Sequence, residues 1–224
     1  ALVEATTDAV LALGQTDRPE SMIAIRVALG EAVAEVRAAF ERGDALAGLS
    51  TGFAALDDLT GGLAPETLTI LAARPAMGKT ALALNIATNA AKAGALVAVF
   101  SLEMGKTELA KRMLASEGRI DGRALKTGTL ADGDIDRMLQ CVKINAALPL
   151  YVDDTPAVTL AHVRARCRKF AADPKLPPLG LVVIDYLQLM RGDTKGNREQ
   201  EISGLARGLK GLAKALKVPL IVLS

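Results

Sequence analysis

The sequence predicts an α/β fold, a mostly parallel sheet flanked by helices and preceded by an amphipathic helix. Three observations predict it. From residue 66 onward, short apolar runs, most of them rich in β-branched residues, alternate with longer stretches of helical pattern. Before that alternation, one apolar stripe marks residues 19–42 as a single helix. Half of the 224 residues are hydrophobic and only 3% are aromatic, so the core is expected to be aliphatic and small, which suits helices packed on a sheet.

The elements follow in chain order. Residues 1–14 carry a short helical pattern. In residues 19–42, Met22, Ile25, Leu29, Val33, Val36 and Phe40 recur three or four apart and share one helix face. Pro19 suits the first turn, and Gly43 with Asp44 stops the helix. The other face carries Arg26, Glu31, Glu35, Arg37 and Glu41. Such a stripe packs either on its own domain or on another subunit, and the residues leave both open. Strands are expected at 68–72, 96–100, 150–152, 181–184 and 220–223, and helices at 79–92, 106–117, 133–146, 159–172 and 198–217. Strands alternating with helices give a parallel sheet covered on both faces, whose ligands bind at the carboxyl ends of the strands. Residues 173–178 hold three prolines and read as a surface connection.

Composition excludes several classes. A net charge of +2 identifies no charged partner, so any basic surface must be local. Cys141 and Cys167 lack the CxxC spacing of a zinc or redox site and read as reduced, buried thiols. No apolar run reaches the ~18 residues of a membrane span, and residues 1–15 lack a basic start before an apolar core. The expectation is a soluble cytoplasmic protein, and a start at Ala1 without Met reads as a processed or excised fragment.

The strongest motif is Ala73-Arg74-Pro75-Ala76-Met77-Gly78-Lys79-Thr80. It matches the phosphate-binding P-loop except for Ala73 in place of the first Gly, and it lies between an expected strand and an expected helix. Backbone N–H groups of such a loop form an anion-binding concavity, to which the helix N-terminus adds positive potential. Lys79 would reach the β- and γ-phosphates of ATP, and the Thr80 hydroxyl would ligate Mg²⁺. Gly78 would let the backbone approach the phosphates without a Cβ in the way.

Two acids follow apolar strands. Leu181-Val182-Val183-Ile184-Asp185 is an aliphatic run ending in a carboxylate, which would sit near Thr80 and hold magnesium through water. Glu103, in Phe100-Ser101-Leu102-Glu103-Met104, could orient and deprotonate the water that attacks the γ-phosphate. Spacing alone does not separate Glu103 from Asp153 or Asp154, which also follow an apolar run. His162 has no partner visible in the sequence and reads as a surface or packing residue.

With these residues in view, the chain resembles the DnaB-type replicative DNA helicases. The resemblance runs over about residues 20–224. It rests on Ser50-Thr51-Gly52-Phe53 with Leu56-Asp57, the P-loop, Ser101-Leu102-Glu103-Met104, Asp185-Tyr186-Leu187-Gln188-Leu189-Met190, Asn197-Arg198-Glu199 leading into Ile202-Ser203, and Lys217-Val218-Pro219. It implies a RecA-like P-loop NTPase core at 44–224, preceded by a linker-helix region at 1–43 that packs on a neighbouring subunit. It implies a hexameric ring driven by ATP and Mg²⁺ along single-stranded DNA, with a helicase loader and primase as partners. It assigns Lys79 and Thr80 to phosphate and magnesium, Glu103 to the catalytic carboxylate and Asp185 to the second acidic motif. A recombination or repair ATPase of the same fold is the rival enzyme reading, and the segment 185–190 argues against it. A nucleotide-stabilised assembly module is the rival from another class.

Between Arg191 and Lys217 stand seven bases against three acids, a local excess of four in a chain whose total is +2. Arg191, Lys195 and Arg198 bound a Gly-rich polar stretch that resembles the family's central-channel DNA loop, where backbone phosphates call for cations. Lys210, Lys214 and Lys217 read instead as the solvated face of a helix whose stripe is Ile202, Leu205, Leu209, Leu212 and Leu216. In the family a phosphate-sensing Gln, a second DNA loop and an arginine finger follow the strand at 220–223. With the sequence ending at Ser224, the ATPase domain is expected to be incomplete there, to bind ATP, and to hydrolyse it slowly by itself.

Overall fold

The computed structural model describes residues 23–42, 46–74, 76–191 and 198–224. The expected helix at 1–14, Pro19, Met22, the stop at Gly43-Asp44, Pro75, Lys195 and Asn197 lie outside them. Two compact units divide the chain, Ala1–Ala45 and Leu46–Ser224.

In the first unit, α1 (Ile25–Arg42) follows the predicted stripe. Ile25, Leu29, Val33, Val36 and Phe40 are 58 to 86% exposed. On the same helix Arg37 Nε reaches Glu41 at 2.8 Å, a pair one turn apart.

The second unit begins with α2 (Ala54–Thr60), a short helix that the apolar pattern does not announce. It is built around Asp57, which is buried and accepts from Ser50 Oγ at 2.6 Å, Thr51 N at 2.9 Å and Thr51 Oγ1 at 2.7 Å. Burial pushes the Asp57 carboxyl up, but the hydrogen bonds from Ser50, Thr51 and Gly52 outweigh it and hold the group below its ordinary range. The chain then alternates as predicted: β1 (Leu68–Leu71), α3 (Lys79–Lys92), β2 (Leu96–Ser101), α4 (Lys106–Gly118), α5 (Gly122–Thr127), α6 (Asp134–Asn145), β3 (Leu150–Asp153), α7 (Leu160–Ala172), β4 (Leu179–Asp185), a 3₁₀ turn (Leu187–Leu189), α8 (Arg198–Leu216) and β5 (Leu220–Leu223). Among the described residues α5 is an addition to the expected list. Its start is fixed by Asp121, whose carboxylate caps Arg123 N.

All strand pairs are parallel, in the order β1-β5-β4-β2-β3. Alternation along the central strands sends residues to two cores. Ala98, Phe100, Val182, Ile184, Leu220 and Val222 pack under α7 and α8 with Val163, Leu209 and Leu212. Val97, Val99, Leu181, Val183, Ile221 and Leu223 pack under α3 and α4 with Ile86, Ala87 and Leu109. The central strands β2, β4 and β5 are therefore apolar on both faces, which is why they read as continuous runs. Strand β4 starts two residues before the expected run, at Leu179. Gly180 interrupts the apolar pattern there because a Cβ would stand 2.7 Å from Ala95 Cβ. The crossover β1 to β2 passes over β5 and β4, so the carboxyl ends of β1, β2, β4 and β5 meet along one edge.

Candidate nucleotide-binding site

At that edge the chain leaves β1 through Ala72 and Ala73 and enters α3 at Lys79. Two loop residues have left-handed backbones, Ala76 at φ 64° and Gly78 at φ 86°. Nothing lies within 4 Å of where a Cβ on Gly78 would stand. Its glycine thus answers first to the positive φ, while the open side stays clear for a ligand. Lys79 Nζ donates to the Ala73 carbonyl at 2.9 Å and to the Ser224 main-chain oxygen at 2.6 Å, so the ammonium spans the ends of β1 and β5.

Asp185 stands at the end of β4, buried at 5% exposure, and accepts from Thr80 Oγ1 at 2.7 Å. Burial pushes its carboxyl above the ordinary value; the Thr80 hydrogen bond and the charges of Lys79 and Arg112 oppose that push without cancelling it. On β2, Ser101 pairs with Asp185 in register. The turn after Ser101 is tied down twice. Leu102 N–H donates to the Asp185 carbonyl at 2.7 Å, and Ser101 Oγ donates to the Met104 carbonyl at 2.7 Å. Glu103 occupies this fixed turn and is exposed.

Gly78, Lys79, Thr80, Glu103, Arg112 and Asp185 line one cavity of about 380 Å³, with Ala76, Met77, Met104, Tyr186, Gln188 and Ser224 completing the wall. Of the acids that spacing left open, only Glu103 is there. Asp153 is instead half-buried against His162 Nε2 at 2.8 Å and Arg166 Nε at 3.5 Å. Burial raises the Asp153 carboxyl, but hydrogen bonds from His162 and Thr155 bring it down to about 2. His162, expected to lack a partner, has one because β3 ends where α7 begins. Asp154 accepts from Lys106 N at 3.1 Å at the start of α4. Arg74 is exposed and does not line the cavity, and Ala73 contributes its carbonyl rather than an amide.

The oxygens present fit a magnesium ion carried in with phosphates. Thr80 and Asp185 offer a hydroxyl and a carboxylate side by side, the small hard-donor set that this ion uses when phosphates and water complete its octahedron. Among the described residues no group of three or more His, Cys, Asp or Glu side chains could hold a metal by itself.

Of the predicted DNA residues, Arg191 and Arg198 do not line the cavity, and Lys195 lies outside the described residues. Arg191 is exposed, and its N–H donates to the Val158 carbonyl at 3.1 Å. Arg198 is exposed and engaged within the chain, through Glu201 and the Gln188 carbonyl. Sequence reasoning missed Arg112 and Gln188 as cavity residues. Gln188 lies within the Asp185–Met190 motif, whose pattern announces no cavity role for it, and Arg112 looks like any cation on the solvent face of α4.

The family model for the DnaB-like helicase C terminal domain matches residues 48–224. The replicative DNA helicase DnaC of Bacillus subtilis (strain 168) is 44% identical over 186 residues, 82% of this chain and 40% of that protein. The replicative DNA helicase DnaB of Leifsonia xyli subsp. xyli is 41% identical over 212 residues, 93% of this chain and 46% of that protein. The chain thus spans less than half the length of these relatives. A solved DnaB-like replicative helicase, described with its interactions with primase, superposes with a TM-score of 0.78 at 29% identity, over 98% of this chain and 52% of that one. A solved ATPase domain gives 0.80 at 31% identity, over 88% and 70%.

Proposed function

The chain belongs to the DnaB-like helicase C-terminal domain family, and on that premise we propose that it is the ATP-hydrolysing motor portion of a replicative DNA helicase. The observation that carries the proposal is the convergence of Lys79, Thr80, Glu103 and Asp185 on one cavity at the carboxyl edge of the sheet. The phosphates of ATP lie over the loop amides and the N-terminus of α3. Lys79 has three donors and spends two on main-chain oxygens, so one remains for a β- or γ-oxygen before any exchange of partners. Thr80 and Asp185 would hold the magnesium that accompanies the nucleotide, and the ion would supply positive charge to its phosphates. Glu103, exposed and fixed in its turn, aligns a water and accepts its proton as the water oxygen bonds to the γ-phosphorus. The bond from that phosphorus to the bridging oxygen breaks, giving ADP and inorganic phosphate.

The rest of the reading concerns assembly. Residues 1–43 form the linker region and 44–224 the ATPase domain, and the exposed stripe of α1 packs on the next subunit of a homo-hexameric ring. Arg191, Lys195 and Arg198 hold the backbone of single-stranded DNA; Arg198 would exchange its contacts within the chain for phosphate. Primase and a helicase loader are further partners, and the protein works in the cytoplasm. None of the described helices is long and apolar enough to cross a membrane. Lys79→Ala tests the core of the proposal. It should reduce ATP affinity about 10- to 100-fold, the loss of one charge-assisted phosphate contact, and abolish turnover stimulated by single-stranded DNA. Unchanged ATP affinity in that variant would sink the reading. Strand exchange without unwinding of a forked duplex would transfer it to a recombination ATPase.

A further inference from the structure

The cavity has two cations among its described lining residues, and only Lys79 belongs to the motif. The other is Arg112, two turns into α4, on the element that follows Glu103 directly. Its partner on its own helix is Glu108, one turn back, at 3.9 Å, with both side chains substantially exposed at 45% and 62%. That separation is beyond hydrogen-bonding distance, and an exposed pair of this kind contributes little. The guanidinium can therefore leave Glu108 at little cost. Its charge already acts on Asp185 across the cavity.

We propose that Arg112 is a second in-chain cation for the terminal phosphate of the nucleotide, acting opposite Lys79. The proposal rests on the nucleotide reading above. Two arguments give it the γ-position. On that reading the inner phosphates would be held by the loop amides and Lys79 at the start of α3. The turn bearing Glu103 and the helix bearing Arg112 form the wall where the attacking water and the departing phosphoryl group must lie. A planar fork of N–H donors suits that group better than an ammonium, because two of its equatorial oxygens can be held at once. As negative charge spreads over those oxygens in the transition state, a cation already in place stabilises it without reorganisation.

The test compares Arg112→Ala, Arg112→Lys and Lys79→Ala for affinity toward ATPγS and ADP, and for kcat and KM of ATP turnover. Arg112→Ala should weaken ATPγS about 10- to 100-fold, lower kcat by a similar factor and leave ADP within about twofold, since only one of the ligands carries a γ-phosphate. Arg112→Lys should recover part of the ATPγS affinity and less of kcat, because it restores charge but not the fork. Its thermal midpoint should stay at the parent's, given the long exposed pair it replaces. Equal weakening of ATPγS and ADP by Arg112→Ala, or no weakening of either while Lys79→Ala weakens both, would overturn the proposal. If Lys79→Ala also leaves both affinities unchanged, the nucleotide reading fails and takes the role of Arg112 with it.

Discussion

Gly52→Ala should destabilise the ATPase unit while leaving its chemistry in place. Gly52 has φ 79°, and a Cβ there would stand 2.2 Å from Asn89 Nδ2, 2.5 Å from its Cγ and 2.7 Å from its Cβ. A left-handed backbone costs an L-residue about 1–2 kcal/mol. Asn89 cannot simply swing its tip aside, because its own Cβ is among the clashing atoms. It must give up the 3.0 Å hydrogen bond from Nδ2 to the Thr51 carbonyl, worth about 0.5–1.5 kcal/mol. The two losses together come to about 1.5–3.5 kcal/mol, a large part of a domain's stability and roughly 3–14 °C in thermal midpoint for a unit of this size. Urea unfolding of Gly52→Ala, Asn89→Ala and the double variant separates the two contributions. Asn89→Ala should lose the hydrogen bond alone. The double variant should lie well above the sum of the singles, because removing Asn89 beyond its Cβ relieves much of the contact. Affinity for ADP should hold in all folded variants, since Asn89 lies near the far end of α3 from Lys79. A Gly52→Ala midpoint within experimental error of the parent, or strict additivity in the double variant, would refute the close-packing argument.

Two further predictions concern carboxylates. Asp185 has its pKa raised above the ordinary 3.8, so the folded protein keeps a proton that the unfolded chain releases. The stability of the ligand-free protein must then fall as pH rises from 3.8 through the raised value. Asp185→Asn should raise the ligand-free denaturation midpoint at pH 7, show no such gain below about pH 4, and lose magnesium-dependent nucleotide binding. A lower midpoint at pH 7 would contradict it. Asp153 is the opposite case, held at about 2 against 3.8. Its contribution is complete above 3.8 and lost as pH falls from there toward about 2. Asp153→Asn should therefore cost up to about 2 kcal/mol at neutral pH and progressively less in urea titrations at pH 4 and pH 3, with ATP turnover changed little. A loss of turnover equal to that of Glu103→Gln would return Asp153 to the list of catalytic acids.

Much of this was legible because the central strands are buried on both faces. Runs such as Leu96–Phe100 and Leu181–Ile184 read as strands for the same reason that they are strands: both sides of the pleat must be apolar. The P-loop and Asp185 were legible because each is a local signature beside such a strand. Helices α2 and α5 were not, since each is set by a polar contact rather than a stripe, Asp57 with Ser50 and Thr51 in one and the Asp121 cap in the other. The choice among Glu103, Asp153 and Asp154 was illegible from spacing, because it depends on strand order. Strand β3 lies at the sheet's edge beyond β2, so its acids fall outside the cavity, whereas β2 adjoins β4 and brings Glu103 to Asp185. His162 and Arg112 depend on the same kind of information, a juxtaposition of elements that no local pattern encodes.

The motif residues that carry the family resemblance also divide into different kinds of work. Ser50, Thr51, Gly52 and Asp57 form a closed hydrogen-bonded cluster against the back of α3, with no member in the cavity. They hold the helix whose first turn presents Lys79 and Thr80. Within the cavity the two acids divide again by environment. Asp185 is buried and hydrogen-bonded to a hydroxyl, which makes its free charge unfavourable and a bound cation its natural complement. Glu103 is exposed, in a turn whose backbone is fastened to the Asp185 carbonyl through Leu102 N–H. That tether keeps it beside the strand that bears the other acid. The sheet register that pairs Ser101 with Asp185 therefore sets one acid inside the fold and the other at its rim.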